Sequence, residues 1–149
     1  MDENMLEQQI KTLNKLWHEL LHSNKINVCT TELESVTPLE VSILRVLGEN
    51  PEIILREICQ KLNVSSSTLT SAINRLEKRN LLYRTINNRD LRSFGLQLTE
   101  KGSSALSEYI NGEEKIIEKM LHALENNKER SEFIRLFYKI VNDIIKDEQ

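Results

Sequence analysis

The stretch from Ile54 to Arg79, ILREICQKLNVSSSTLTSAINRLEKR, contains two short helical patterns separated by a tight turn. The first pattern, Ile54 to Leu62, repeats apolar residues on one helical face. Asn63 suits a left-handed turn position, and Ser65 can cap the helix that follows. The second helix is predicted from Ser66 to Arg79. Its apolar face consists of Leu69, Ala72, Ile73 and Leu76. This order predicts a helix-turn-helix unit.

The sequence on either side predicts further elements. Upstream, Thr37-Pro38-Leu39-Glu40 is typical of a helix start, with a capping residue, a proline in the first turn and a glutamate that can complete a capping box. We expect Gly48 to end this helix. Downstream, Leu82–Ile86 and Phe94–Leu98 alternate in polarity around Asn87-Asn88-Arg89-Asp90, which indicates one β-hairpin with an arginine-containing tip.

Long helices are predicted at both ends of the chain. Residues 5–22 carry apolar side chains at spacings of three and four, a pattern typical of packing along another long helix, and a loop is predicted to follow them. Thr99 can cap a helix that continues to Leu124, and a last helix is predicted after a break at 125–127. The apolar stripes of these helices are wide for a 149-residue monomer to cover, which predicts a homodimer, with packing of the first helix on the last within one chain as the alternative.

Composition supports a mainly α fold. The chain has only four glycines and two prolines, fewer than sandwiches, propellers or glycine-rich nucleotide folds require. It has no apolar run of membrane-spanning length and no export pattern at its start. Its two cysteines are too few for a disulfide scaffold. These features predict a cytoplasmic protein without a membrane partner.

The charge distribution favours a polyanionic partner. The net charge is −3, but residues 56–101 contain nine lysines and arginines against four acids. The rest of the chain carries a net charge of −8. A basic centre inside an acidic frame is typical of a surface that binds nucleic acid, although a solvated surface can show the same fluctuation.

The polar face of the second helix of the helix-turn-helix unit also fits DNA binding. Small hydroxyl and amide side chains come first and cations follow, which suits a helix that enters a major groove with its N-terminus. A merely solvated face could have this composition too. The candidate DNA-binding residues on this helix are Ser66, Ser67, Thr70, Ser71, Asn74, Arg75 and Lys78.

A motif after this helix makes the interpretation more specific. Asp90-Leu91-Arg92, five further residues and Leu98-Thr99 follow the pattern D-x-R-x5-L-T, and Glu100-Lys101-Gly102 comes next. With Ser67-Thr68-Leu69-Thr70, Arg75-Leu76-Glu77-Lys78-Arg79 and Leu81-Leu82, the chain resembles the MarR family of bacterial regulators over nearly its whole length. The resemblance implies one MarR-like domain. Residues 37–102 would form the winged helix-turn-helix DNA-binding lobe (the central lobe), and residues 1–36 and 103–149 the dimerisation helices.

The resemblance also implies roles for the hairpin, which would be the wing. Arg92 would enter the minor groove, Asp90 would hold it through a charge-assisted bond, and Arg89 would be a second cation at the tip. The chain departs from the family pattern at Ser71, where a cation is frequent, and at two further positions, Asn80 and Leu91. The implied partners are double-stranded operator DNA, a second copy of the chain and a small-molecule effector that releases a repressor.

Two other readings of the sequence are weaker. His18-Glu19-Leu20-Leu21-His22 matches the zinc-protease motif, but the same helix must bury apolar residues and no third-ligand segment is recognisable. Cys29, in the predicted loop, is a candidate for thiol-based gating, whereas Cys59 is expected to be an inert core thiol. We therefore predict a regulator that is not an enzyme and needs no cofactor or metal, with thiol or metal gating as the alternative.

Overall fold

Six helices and one β-hairpin make up the residues that a computed structural model describes, 3–23 and 33–146. In chain order they are α1 (Glu3–Leu21), α2 (Pro38–Glu49), α3 (Leu55–Leu62), α4 (Ser66–Lys78), β1 (Leu82–Ile86), β2 (Phe94–Leu98), α5 (Glu100–His122) and α6 (Asn127–Lys146). The predicted class, mainly α with one hairpin, is confirmed. None of the described helices is both long and apolar enough to cross a membrane.

Local signals in the sequence account for the helix starts. Thr37 and Glu40 form the predicted capping box, in which each side chain accepts a hydrogen bond from the other residue's backbone amide, at 3.3 and 2.8 Å. The Ser65 hydroxyl accepts from the Thr68 amide and caps α4. Asn63 adopts the left-handed conformation, with φ of 50°, in the turn between α3 and α4. The predicted helix-turn-helix unit is therefore present.

The chain packs as two compact units, residues 1–112 and 113–149. The hydrophobic core lies in the first unit, where α2, α3, α4, the hairpin, the start of α5 and the segments between them contribute its side chains. The largest fully buried apolar side chains are Leu33, Ile43, Leu44, Leu47, Ile58, Leu69, Ile73, Leu76, Leu81, Leu82 and Leu96. The strands pair antiparallel, from Leu82 opposite Leu98 to Ile86 opposite Phe94. This packing fixes α4 and the hairpin in one unit.

The prediction that Gly48 ends α2 is wrong, because α2 continues to Glu49. Gly48 has no positive φ, and a Cβ there would lie 2.9 Å from the Leu106 side chain. This glycine therefore serves close packing rather than helix termination. Gly102 is tighter still, since a Cβ there would lie 1.8 Å from the Leu81 carbonyl oxygen.

The second unit is a pair of helices, the end of α5 and α6. Arg130 closes their connection, because its guanidinium donates to the carbonyl oxygens of Leu121, at 2.9 Å, and Leu124, at 3.3 Å. Phe133 and Phe137 stack along α6 with ring centroids 5.9 Å apart. No side chain of α6 is buried in the described chain.

Candidate nucleic-acid interface

The polar face of α4 is open to solvent, as the sequence predicts. All seven candidate residues on this helix are exposed: Ser66, Ser67, Thr70, Ser71, Asn74, Arg75 and Lys78. The Thr70 hydroxyl donates to the Ser66 carbonyl oxygen at 2.8 Å, so it is partly committed to its own helix. The opposite face, with Leu69, Ile73 and Leu76, is buried. The helix therefore presents short polar groups on a surface that the core holds rigid.

Arg75 is tied to α2 through a buried carboxylate. Its Nε donates to Glu40 Oε1 at 2.5 Å, and only 2% of the Glu40 side chain is exposed. Burial raises the pKa of the Glu40 carboxyl, but hydrogen bonds from the Thr37 amide and from Arg75 outweigh it, so this pKa lies below its ordinary value. Glu40 thus stays ionised at neutral pH and fixes the Arg75 side chain beside α4.

The wing tip is organised by Asn87. This side chain is buried, and its Oδ1 accepts from the backbone amides of Arg89 and Asp90 at 2.9 and 3.1 Å. Asp90 Oδ1 accepts in turn from the Arg92 backbone amide at 3.0 Å. The bond expected between Asp90 and Arg92 therefore exists at the backbone rather than at the guanidinium. No carboxylate of the described residues lies within ion-pair distance of the Arg92 guanidinium.

Arg89, the second predicted cation of the wing, is engaged within the protein. Its two terminal nitrogens donate to the two carboxylate oxygens of Glu57, each at 3.0 Å. The same fork donates to the Glu52 carbonyl oxygen at 3.3 Å. The hydrogen bonds between the two side chains lower the pKa of Glu57 and raise that of Arg89, and the attraction of the opposite charges acts in the same direction. Arg89 therefore connects the wing to the start of α3.

Arg84 links the wing to α4. From β1, its Nη1 lies 2.9 Å from Glu77 Oε2 and its Nη2 donates to Asn74 Oδ1 at 2.5 Å. The guanidinium carbon also lies 4.7 Å from the centre of the Phe94 ring. The candidate base-reading helix and the wing are thus joined through one side chain.

Sequence reasoning missed three residues of this site: Glu40, Arg84 and Asn87. Glu40 was recognised only as a capping residue, and Asn87 only as part of a turn. Glu40 gives a usable signal, since a polar residue on the apolar face of a helix needs a partner, whereas Asn87 lies in a turn where no apolar pattern predicts its burial. Nothing in the local sequence distinguishes Arg84 from the other exposed cations.

The minor candidates are placed as follows. Cys59 is half-buried against the core, and Cys29 lies outside the described residues. His18 lies in the last turn of α1 and His22 follows the end of this helix, and their ring centroids are 5.9 Å apart. Among the described residues, no group of three or more histidine, cysteine, aspartate or glutamate side chains could hold a metal ion.

Comparison with known proteins gives matches to one family of regulators. The model of the MarR family matches residues 36–94. The transcriptional repressor MdtR of Bacillus subtilis is 32% identical over 93 residues, which span 62% of this chain and 60% of MdtR. The structure of YusO from Bacillus subtilis has a TM-score of 0.73 at 24% identity and covers 95% of this chain and 99% of YusO. Streptococcus pneumoniae FabT, solved in complex with DNA, has a TM-score of 0.72 at 18% identity and covers 93% and 99% of the two chains.

The family model spans the helix-turn-helix unit, β1 and the tip of the hairpin, and the fold likeness extends over nearly the whole chain. The relatives are transcription regulators and not enzymes, which confirms that part of the prediction. The resemblance inferred from the sequence motifs is confirmed as well. The chain thus matches the MarR family of transcriptional regulators over residues 36–94 and has the MarR-type winged-helix fold over nearly its whole length.

Proposed function

We propose that this regulator is a cytoplasmic homodimeric repressor that binds a pseudo-palindromic operator. The observation that carries the proposal is the exposed polar face of α4, joined to an arginine-bearing wing by Arg84. An α-helix fits the major groove of DNA, so short polar side chains on it can approach base edges, while a neighbouring hairpin can reach the next groove. The name of MdtR as a repressor supports the sign of regulation.

In this proposal α4 and the wing do different work. Ser67, Ser71 and Asn74 contact base edges in the major groove, where each base pair presents a distinct pattern. Arg92 enters the minor groove and responds to its width and negative potential, which favours A·T-rich flanks. Lys78, near the end of α4, contacts phosphate and positions the helix without reading sequence.

The homodimer is supported by the exposed apolar side chains of the terminal helices. Large apolar residues that remain exposed in the described chain concentrate on α1 and on the second unit rather than on the central lobe. They are Met5, Leu6, Ile10, Leu13, Leu16 and Trp17 of α1, and Ile117, Met120, Ile134, Leu136, Phe137, Tyr138, Ile140, Ile144 and Ile145. A monomer rarely exposes so large an apolar surface, so we assign it to a second copy. The two α4 helices of the dimer would then lie about 34 Å apart, one turn of DNA.

Release by a small ligand completes the proposal. The second unit contains an apolar cavity of about 560 Å³, and several side chains that line it, among them Ile117 and Phe137, also belong to the surface that we assign to the second copy. A ligand in this cavity would therefore bind at the proposed dimer interface. A lipophilic anion that binds the dimerisation helices more tightly in one arrangement of the dimer would shift the spacing of the α4 helices and lower operator affinity. A phenolic carboxylate and a fatty acid are suitable first probes.

Selection of bound sequences from a random duplex pool tests the function. We expect one enriched motif with two-fold symmetry and half-sites about one helical turn apart. Light scattering of the purified protein should give the mass of a dimer at tens of micromolar. A pool without enrichment would contradict operator binding, and a monomer would contradict the proposed architecture. If peroxide or a zinc chelator releases the duplex, and neither the phenolic carboxylate nor the fatty acid does, thiol or metal gating is favoured instead.

A further inference from the structure

The orientation of the Asn74 amide is determined by Arg84. A guanidinium group carries donors and no acceptor, so the amide atom that faces Arg84 Nη2 is the oxygen. The amide oxygen is thereby engaged inside the protein. The Nδ2 group carries two donor hydrogens, and it remains available to a partner that approaches the exposed face of α4.

Arg84 is itself held in place, so this orientation is preorganised. Its ion pair with Glu77 and its contact with the Phe94 ring restrain the guanidinium from two further sides. The Arg84 side chain is 36% exposed and that of Glu77 is 37% exposed. A guanidinium that is partly desolvated and fixed by three contacts loses little further freedom when DNA binds.

The contact changes which base edge Asn74 can read. Asparagine recognises adenine by accepting from N6 and donating to N7 at the same time. In this protein the Asn74 oxygen already accepts from the Arg84 guanidinium. An adenine amino group would therefore have to approach a cation and share that acceptor. Guanine presents two acceptors, N7 and O6, whose negative potential suits both the Nδ2 donor and the nearby positive charge.

We propose that Arg84 is a specificity-determining residue, an inference that rests on the proposed function. By engaging the amide oxygen, Arg84 makes Asn74 a hydrogen-bond donor towards DNA. This donor selects guanine over adenine at one position of each half-site. The wing strand thus contributes to base recognition in the major groove through α4, in addition to its own contact with DNA. Arg84 acts by positioning Asn74 and need not touch the base.

The test compares two duplexes for each protein variant. The selected operator is varied at every position, and the position at which Asn74→Ala loses base preference marks the contact of Asn74. The ratio of dissociation constants for adenine and guanine duplexes at that position is then measured. We expect the wild type to favour guanine by about tenfold. For Arg84→Met the preference should fall below about threefold or reverse towards adenine.

Two controls separate this effect from loss of charge or of folding. Lys78→Met removes one charge from the same helix without touching Asn74, so it should weaken both duplexes and leave the ratio unchanged. Arg84→Met combined with Asn74→Ala should give the same ratio as Asn74→Ala alone. Because the ratio is measured on one protein sample, a partly unfolded fraction affects both duplexes equally.

The outcomes distinguish this inference from the proposed function. The inference is overturned if the wild type selects adenine at the Asn74 position, if Asn74→Ala alters no position, or if Arg84→Met keeps the wild-type ratio. In each of these cases the operator itself would still be bound. A protein that enriches no sequence at all would contradict the proposed function, and this inference with it.

Discussion

The central lobe and the terminal helices use similar amphipathic patterns but bury their apolar faces to different extents. In the central lobe, the apolar face of α4 is almost fully covered by α2, α3 and the hairpin. Along α6, which is longer, no side chain is buried in the described chain. An apolar face of that length without cover is incomplete as a folded element, because helices gain most of their stability from packing. The difference teaches that the central lobe buries its apolar faces within the chain, whereas the apolar face of α6 lacks cover that the proposed second copy would supply.

The largest effect is expected from breaking the proposed interface at Phe137. This side chain is 57% exposed on α6, so Phe137→Glu should leave the helix folded and place a charge in the dimer interface. A monomer has one α4 instead of two, and we expect operator affinity to fall by about 1,000-fold because bivalent binding is lost. Light scattering and a binding titration measure both changes.

Ser131→Glu provides a matched control, since it adds the same charge to an exposed polar position of α6. It should keep the dimer and most of the affinity. A Phe137→Glu protein that remains dimeric and binds operator normally would mean that the second unit is not the interface, and the comparison between the two regions would lose its explanation.

The second prediction tests how closely the central lobe is packed around Gly102. Gly102→Ala would place a methyl group against the Leu81 carbonyl oxygen, which is backbone and cannot turn aside. We expect the free energy of unfolding to fall by roughly 3 kcal/mol. Gly48→Ala meets only the end of the Leu106 side chain, and alanine favours a helix over glycine by about 1 kcal/mol, so this variant should be nearly neutral.

Urea unfolding followed by circular dichroism measures both variants. Equal stabilities for Gly102→Ala and the wild type would show that the backbone around Leu81 can shift, and that the central lobe is less rigid than its packing indicates.

These glycines also show why the fold was more predictable than its details. Helical periodicity, capping signals and hairpin alternation are local, so they correctly predicted six helices and the hairpin. Gly48 was misassigned because glycine serves equally well at a helix end and at a close contact, and the contact with Leu106 lies far along the chain. The same limit applies to Gly102, whose neighbour is Leu81.

The candidate site also has one part that the sequence predicts and one part that it does not. The exposed face of α4 follows from periodicity alone, because the residues opposite Leu69 and Ile73 face solvent. The partners of its cations could not be predicted, since Glu40 lies 35 residues before Arg75 and Glu57 lies 32 residues before Arg89. Composition predicted a basic surface, but it could not indicate which cations are engaged within the protein.

The third effect compares an open cation with an engaged one in the same wing. Arg92→Ala should weaken binding to operator and scrambled duplex alike, by roughly 2 kcal/mol, and lower the slope of log affinity against log salt by about 1. Arg89→Ala removes the same charge, but that charge is already paired with Glu57. Its salt slope should therefore change less.

Titrations at two salt concentrations against both duplexes distinguish the variants. If Arg92→Ala binds as the wild type does, the hairpin is not a DNA-contacting wing. Equal losses for the two variants would instead indicate that Arg89 leaves Glu57 for phosphate in the complex.

The smallest effect concerns the buried carboxylate that holds Arg75. Because the pKa of Glu40 in the folded protein lies below its ordinary value of 4.5, its ionisation stabilises the fold above that value. This contribution should be lost as the pH falls through the lowered pKa. Glu40→Gln keeps the shape and an acceptor for the Thr37 amide but removes the charge. We expect this variant to be less stable by about 1 kcal/mol at pH 7, and the difference from the wild type to shrink steadily between pH 5 and pH 3 as measured by urea unfolding. Glu132→Gln is the control, since its carboxylate pairs with Arg135 on the surface of α6 and should matter little at either pH. A Glu40→Gln deficit that stays constant from pH 7 to pH 3 would show that the amide fits this buried position less well than the carboxylate, and that the charge opposite Arg75 does not stabilise this part of the central lobe.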